Sequence, residues 1–337
     1  MKRKVYLDYL NVLSAFAVVM LHTNNVFWTF SYNRYWLSAN IIESVFYFAV
    51  PIFFMISGAT LIDYSKRYST KTFLKKRFSK TLIPFLFWSI LALVYLLHYH
   101  KIDITNFSLI TLLDLILNSK LFPIYWFFMP LFGLYLSMPL LSAIDDNKKK
   151  AVFKYIIISV FSLSVLQLIC GIIKLPYFNL NVASASGYVI YLLIGYYVSR
   201  YELSDKSRHI IYVLGFIALL VHLLGVWKTS YMLGAVDKTF KGYLSPMSIL
   251  YASALFVFFR YASFDKMKGL NKIINFLRET TFGIYLIHYF IIYHLCYIIQ
   301  INRYSIVFRT FGAIAIFLTA ALIVKLLKRI PVIKQLV

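Results

Sequence analysis

Polar side chains recur along an apolar segment near the start of the chain, YLDYLNVLSAFAVVMLHTNN at residues 6–25. Asn11 and His22 are eleven residues apart, and a helix that turns about 100° per residue places them roughly 20° apart on one face. They are separated by roughly 16 Å along the axis, so one elongated ligand could contact both. An imidazole titrates near neutral pH, which makes His22 a candidate general base. The alternative is a neutral histidine near a membrane interface, satisfied by a carbonyl group or water.

A carboxylate lies at a similar depth in the next apolar segment. This segment runs back across the membrane from about residue 40 and carries Glu43. A carboxylate hydrogen-bonded to His22 would orient the imidazole and raise its basicity. We therefore predict Glu43 as the catalytic partner of His22, and the alternative is a carboxylate that faces the outer lipid headgroups.

The elements that must position these residues are membrane helices. Hydrophobic residues make up 61% of the 337 residues and charged residues only 14%, against about 25% in soluble domains. Because a helix satisfies its own backbone hydrogen bonds in lipid, we predict an all-α polytopic membrane helix bundle that forms one domain over residues 1–337. Gly58 and Ser57 are expected to allow close helix approach.

Ten apolar segments have roughly the length of a membrane span, about 20 residues, although the sixth and eighth are short. They lie at 7–27, 40–62, 81–98, 125–143, 152–172, 186–200, 209–227, 246–260, 282–300 and 305–324. The outer segment 107–126 is too interrupted to span comfortably and is predicted to be interfacial or re-entrant.

The basic residues predict the orientation of the bundle. The net charge of +23 comes from Lys and Arg clustered between apolar segments, which is typical of topology signals and lipid headgroup contacts, not of nucleic-acid binding. Twenty-six of these residues fall on one side and nine on the other, so both termini are predicted to be cytoplasmic. On the outer side, Arg34 and Arg309 are expected to anchor at headgroups, and the alternative is that they hold an acidic acceptor.

Five sequence features, in this order, resemble the acyltransferase-3 family of integral membrane acyltransferases. The likeness covers nearly the whole chain, and it is greatest to compact bacterial members that O-acetylate or O-succinylate surface polysaccharides. The features are His22, VPIFFMISGATL at 50–61, FLKKRFSKTLIPFLFW at 73–88, WFFMPLFGLYLSMPLL at 126–141 and TFGIYLIH at 281–288.

The resemblance implies transfer of an acyl group from cytoplasmic acyl-coenzyme A, most simply acetyl-coenzyme A, to a hydroxyl group. The acceptor would be a cell-envelope glycan or a lipid-linked sugar at the bacterial inner or plasma membrane, and His22 would be the general base. The family's Arg-x-x-Arg motif corresponds to Arg77 and Lys80. With Lys75 and Lys76 these residues form a candidate site for the coenzyme A phosphates, and the alternative is a cluster that only anchors the helix and fixes topology.

The chain departs from the family where an Arg is expected eleven residues before the histidine, because that position is Asn11. Asn keeps hydrogen-bonding capacity but loses the cation that could hold a phosphate or carboxylate. Asn11 is still predicted to line the coenzyme A site. Three explanations stay open: compensation by a Lys such as Lys4, an altered donor geometry, or a protein that no longer transfers acyl groups.

Acyl transfer also needs donors for the tetrahedral oxyanion. Thr23, Asn24, Tyr125 and Trp126 are the candidates at the depth of His22, and we predict the last three to bind substrate. The expected partners are membrane lipid and the glycan, with no nucleic acid and no metal, and a homo-oligomer is left open. The main alternative function is a transporter of a glycan or small polar solute, for which broken helices and paired repeats would be evidence.

Overall fold

The computed structural model describes residues 4–102, 108–175, 187–264 and 266–337, and over these residues the chain is helical and contains no strand. Eight of the described segments are long and apolar enough to span a membrane, and two more are shorter apolar helices. This confirms an all-α polytopic bundle. The α-helices are α1 Val5–Thr23, α2 Arg34–Phe46, α3 Ala49–Leu61, α4 Thr70–His98, α5 Leu109–Leu117, α6 Phe128–Ser142, α7 Asp146–Ile172, α8 Val189–Arg200, α9 Asp205–Leu233, α10 Pro246–Tyr261, α11 Lys268–Leu277, α12 Thr281–Tyr293 and α13 Ala313–Leu327.

The second predicted span, 40–62, is divided into α2 and α3, which was not expected. Pro51 lacks the N–H group that would bond to the carbonyl of Tyr47, and its ring excludes that carbonyl from the helix, so the helix breaks just before α3. Irregular backbone at membrane depth is tolerated where protein covers it. Tyr47 and Phe48 are both buried, and the hydroxyl of Tyr251 donates to the carbonyl of Val45 at 2.9 Å.

The third span begins about three turns earlier than predicted, at Thr70 instead of residue 81. Ser69 caps this helix, because its side chain accepts a hydrogen bond from the backbone N–H of Thr72. The basic residues predicted to bind phosphate therefore lie on the first turns of α4. Lys76 and Lys80 are four residues apart there and share one face.

Helices α3 and α8 approach each other through two glycines. A Cβ atom on Gly58 would lie 1.9 Å from the carbonyl oxygen of Leu192, and one on Gly195 would lie 2.0 Å from that of Met55. No side chain fits in either space, so the expectation that Gly58 allows close helix approach is confirmed. Gly58 belongs to the same helix as the lining residues Phe53 and Ser57 described below.

The basic segments meet at one end of the bundle, which we call the basic face. The ammonium group of Lys4 donates to the carbonyl of Ser199 at 3.1 Å, and Asp63, after α3, accepts from Lys149 and Arg200. These contacts join the start of α1 to the ends of α3 and α8 and to the first turn of α7. The other end, where α1 ends, is called the opposite face.

Two short helices lie apart from the predicted spans. Helix α5 has nine residues, about 13 Å, which is too short to cross a membrane, and Leu109 and Ile110 on it are exposed. Helix α11, to which the sequence analysis assigned no element, is amphipathic: Ile274 and Leu277 are buried while Lys272 is exposed.

Candidate active site

Asn11 and His22 both face α12, which confirms that they share a face of α1. The side-chain amide of Asn11 donates to the hydroxyl of Thr281 at 2.9 Å, and Nδ1 of His22 lies 2.7 Å from Nε2 of His288. Thr281 and His288 are seven residues apart, two turns of α12, so they too share a face. The polar side chains of α1 therefore have matching polar partners on the neighbouring helix.

The hydrogen bonds of His288 determine the tautomer of His22. Nδ1 of His288 lies 2.8 Å from the carbonyl oxygen of Ile284, which can only accept, so Nδ1 carries the proton. In the neutral ring Nε2 of His288 is then an acceptor, and Nδ1 of His22 must donate to it. This assignment leaves Nε2 of His22 unprotonated and basic, which is the state a general base requires.

The ring of His22 is covered by protein and reaches a pocket at the opposite face. It stacks on His288 with ring centroids 5.0 Å apart and meets the edge of Tyr289 at 6.1 Å. The pocket, called the opposite pocket, has a volume of about 20 Å³. It is lined by His22, Thr23, Asn25, Val26, Tyr289, Ile292, Cys296, Tyr297 and Arg303.

The prediction that Glu43 pairs with His22 is wrong for this structure. Glu43 forms a buried ion pair with Lys241, with Oε1 2.8 Å from Nζ and side-chain exposures of 4% and 1%. A buried carboxylate needs a cation, and the loop before α10 supplies one, whereas His22 is already satisfied by His288. The ammonium group of Lys241 also lies 3.5 Å from the ring centroid of Tyr47, so the pair holds this loop at the break between α2 and α3.

Two cavities extend from the basic face toward this pair of histidines. The first, the basic groove, has a volume of about 750 Å³ and is lined by Ser79, Lys80, Thr81, Phe282, Pro331, Lys334, Gln335 and Val337. The second, the central cavity, has a volume of about 220 Å³ and is lined by Asn11, Phe53, Ile56, Ser57, Thr81, Phe127, Leu131, Tyr135, Thr281, Phe282 and Tyr285. Thr81 and Phe282 line both, so the cavities adjoin. Tyr285 is the last lining residue before the histidines, with its ring centroid 6.1 Å from that of His288.

The four predicted phosphate-binding residues lie in different environments. Lys80 lines the basic groove. Arg77 is half-buried on the same helix, and its Nε is buried without a hydrogen-bond partner among the described residues. Lys75 is exposed, and the ammonium group of exposed Lys76 lies 4.4 Å from the ring centroid of Tyr68.

The structure brings a further lysine to the groove, Lys334, which sequence reasoning did not select. With Lys80 it gives the groove two ammonium groups, and Arg77 has an unsatisfied donor nearby on α4. This donor set fits a phosphorylated ligand such as coenzyme A. Lys334 follows the last helix and lies far from Lys80 in sequence, so no local pattern could have indicated that they line one groove.

Lys4 does not pair with Asn11. Its ammonium group donates to the carbonyl of Ser199, and burial together with Arg200 and Arg260 lowers the pKa of Lys4. Asn11 donates to Thr281 instead and also lines the central cavity.

The predicted substrate-binding residues have partners within the protein. Asn24 is buried and donates to the carbonyl of Ala39 at 2.8 Å, and the hydroxyl of Tyr125 donates to the carbonyl of Leu286 at 2.8 Å. The indole of Trp126 stacks on Tyr243 with ring centroids 5.6 Å apart. Asn24 and Tyr125 therefore support the backbone beside the site.

The expectation that Arg309 anchors at lipid headgroups is wrong, because its side chain is 1% exposed. A π-helical turn, Phe308–Gly312, carries it into the bundle. It donates to the side-chain oxygen of Asn24 at 3.0 Å and to the hydroxyl of Ser38 at 2.8 Å. These contacts tie the end of α1, just after His22, to α2 and α13.

His288 is the candidate site residue that the sequence analysis did not select. The structure shows it buried, hydrogen-bonded to the carbonyl of Ile284 and lying directly against His22. The signal was the spacing of Thr281 and His288 in TFGIYLIH, two turns on one helical face, which matches the polar stripe of α1.

A comparison with known protein families identifies the family of the whole chain. A family model described as an acyltransferase domain, of the acyltransferase-3 type, matches residues 4–326, a range that includes both His22 and His288. No curated protein and no solved structure matches the chain. Because the match covers nearly the whole chain and the chain forms a polytopic helix bundle, this protein belongs to the acyltransferase-3 family of membrane acyltransferases.

Proposed function

We propose that this membrane acyltransferase moves an acyl group, most simply acetyl, from cytoplasmic acyl-coenzyme A to a hydroxyl of a cell-envelope glycan or lipid-linked sugar. The observation that carries the proposal is the position of His22. In the assigned tautomer its Nε2 can accept a proton, and His22 lines the opposite pocket. On the other side, the central cavity extends as far as Tyr285, whose ring centroid lies 6.1 Å from that of His288.

The reaction follows from the tautomer of His22. Nε2 takes the proton of the acceptor hydroxyl as the oxygen attacks the thioester carbonyl. The C–S bond then breaks, and the departing thiolate takes that proton from the imidazolium. The products are an acyl ester and free coenzyme A. Throughout, His288 accepts the hydrogen bond from Nδ1 and holds the ring in place, the orienting role that a carboxylate has in other triads.

The donor would enter from the basic face. Lys80 and Lys334 would bind its phosphates in the basic groove, since ammonium groups form charge-assisted hydrogen bonds with phosphate oxygens. Asn11, Ser57 and Thr81 offer hydrogen bonds to the amide groups of the pantetheine arm in the central cavity. Asn11 then serves as a hydrogen-bonding residue, which does not require the missing cation.

Removing the proposed base is the direct test. His22→Ala should lower acyl transfer by roughly 10²- to 10⁴-fold, the usual contribution of a general base. The measurement uses purified protein in lipid, radiolabelled acetyl-coenzyme A and an oligosaccharide acceptor. His209→Ala is the matched control, because His209 is exposed on α9 and outside the site. Undiminished transfer by a folded His22→Ala protein would exclude His22 as the base.

Transport is the second candidate, and the divided second span is the observation that favours it, since discontinuous helices form binding sites in many transporters. The same reconstituted vesicles separate the two functions. Labelled glycan or solute that crosses the membrane without consumption of acetyl-coenzyme A would support transport, and acylated product that depends on His22 would support acyl transfer.

A further inference from the structure

The opposite pocket is the place where an acceptor would meet His22. Its volume of about 20 Å³ is room for about one small polar group, such as the hydroxyl that must approach Nε2. The rest of the acceptor would therefore lie over the rim. Tyr297, in the π-helical turn His294–Ile298 that follows α12, and Arg303, in the loop after that turn, line that side of the pocket.

Arg303 is a half-buried cation with no carboxylate within ion-pair distance among the described residues. Its guanidinium donates to the hydroxyls of Tyr297 and Tyr304, both at 3.3 Å. It also lies 5.9 Å and 5.3 Å from the centroids of these two rings. The tyrosines hold the guanidinium in place without neutralising it, and such a group matches a carboxylate or phosphate in shape and charge.

The acidic residues toward the opposite face do not neutralise the positive charge of Arg303. The segments toward the opposite face carry nine Lys and Arg, against three acidic residues in the part of the chain that the structure describes. All three acids are engaged elsewhere: Glu43 with Lys241, Asp114 with Lys120, and Asp237 with Thr229 and the backbone N–H of Thr239.

The two arginines that the sequence suggested for an acidic acceptor are less suitable. Arg309 is buried and occupied by Asn24 and Ser38, and exposed Arg34 is not among the residues that line the opposite pocket. Arg303 is the arginine that shares this pocket with His22.

Building on the proposed function, we propose that Arg303 binds an anionic group of the acceptor, a carboxylate or a phosphate, and so presents a neighbouring hydroxyl to Nε2 of His22. The acceptor is accordingly an acidic glycan. An anionic lipid headgroup could supply the same carboxylate or phosphate group, so the experiment must distinguish a glycan anion from a lipid anion.

Binding is measured first, because it does not require turnover. Protein in neutral phosphatidylcholine nanodiscs is titrated calorimetrically with three matched oligosaccharides. The first contains a uronic acid, the second is its carboxyl-reduced and therefore neutral analogue, and the third is a phosphorylated form of that neutral analogue. At least one of the two acidic oligosaccharides should bind about 10-fold more tightly than the neutral analogue, as expected for a hydrogen bond to a charged group. Arg303→Gln should abolish this preference, and Arg34→Gln, which removes a similar charge outside the pocket, should keep it.

Equal binding of all three oligosaccharides, or a preference that survives Arg303→Gln, overturns the assignment. Nanodiscs that contain anionic phosphatidylglycerol test the lipid source. Arg303-dependent retention of that lipid, with no preference among the glycans in neutral lipid, would assign Arg303 to headgroups and also overturn it.

Acyl transfer measured on the same samples keeps the two proposals apart. Arg303-dependent binding without transfer from acetyl-coenzyme A would refute the proposed function and leave the anion site intact. Transfer that depends on His22 but is indifferent to acceptor charge would refute the anion site alone.

Discussion

At the scale of single residues, the proposed chemistry depends on which nitrogen of His22 carries a proton. A carbonyl group at Ile284 fixes the proton of His288, and His288 in turn fixes that of His22. In the proposed mechanism, the neutral imidazole of His288 has the orienting role that a carboxylate has in other triads. It places no bare negative charge at membrane depth, where such a charge would be strongly unfavourable. Glu43, the acid that the sequence predicted for this role, is neutralised by Lys241 instead.

Substitutions of His288 test this orientation. His288→Leu should lower kcat by about 10- to 100-fold, as loss of an orienting partner commonly does. His288→Gln should retain more activity, since its side-chain oxygen can still accept from Nδ1 of His22. Nitrogen-15 NMR of labelled histidine should show Nδ1 of His22 protonated in the wild type and a mixture of tautomers in the Leu variant. Equal activities and unchanged spectra for the two variants would remove His288 from the mechanism.

At the scale of elements, close helix packing determines where the lining residues lie. Helix α3 carries Phe53 and Ser57 into the central cavity, and its position is set by the contact of Gly58 and Gly195 with α8. Pro51 separates this helix from α2 and so lets it take its own direction. The two halves of the second span therefore have different tasks, since α2 carries Glu43 and α3 lines the cavity.

Gly58→Ala should disrupt this contact, because the new Cβ would overlap the backbone of Leu192, which cannot move aside as a side chain can. Overpacking of this kind destabilises a protein by about 1–3 kcal/mol or more. Thermal unfolding in detergent should show a lower midpoint. Gly133→Ala on α6 is the matched control, since no atom lies within 4 Å of its added Cβ. An unchanged unfolding midpoint for Gly58→Ala would contradict the close contact of α3 and α8 at Gly58.

At the scale of the whole molecule, the basic groove, the central cavity and the opposite pocket approach the two histidines from both ends of the bundle. This arrangement suits an enzyme whose two substrates arrive from opposite sides. The ring of Tyr285 lies where the central cavity ends, and its hydroxyl donates to the carbonyl of Ile124. A donor thioester would have to pass this ring to reach His22.

The basic groove predicts how the donor is bound. Lys80→Gln and Lys334→Gln should each raise the KM for acetyl-coenzyme A by about 10-fold, the loss expected for one hydrogen bond to a charged group, with little change in kcat. Lys75→Gln removes the same charge from an exposed position outside the groove and should leave KM unchanged. The same KM values are measured with acetyl-dephospho-coenzyme A, which lacks the ribose phosphate. A lysine that binds this phosphate should then no longer affect KM, whereas one that binds the diphosphate still should. Unchanged KM in both groove variants would place the donor elsewhere.

The sequence by itself determined the class of fold and the shared face of Asn11 and His22, and it indicated the first and third spans as carriers of candidate site residues. These follow from composition and helical periodicity, which are local properties of the chain. Residues far apart in sequence meet only on folding, so the tertiary structure decided that His22 pairs with His288, that Glu43 pairs with Lys241, and that Lys334 joins Lys80. It also decided that Arg309 is buried while Arg303 reaches the pocket, because a buried group takes whichever partner packing brings within hydrogen-bonding distance.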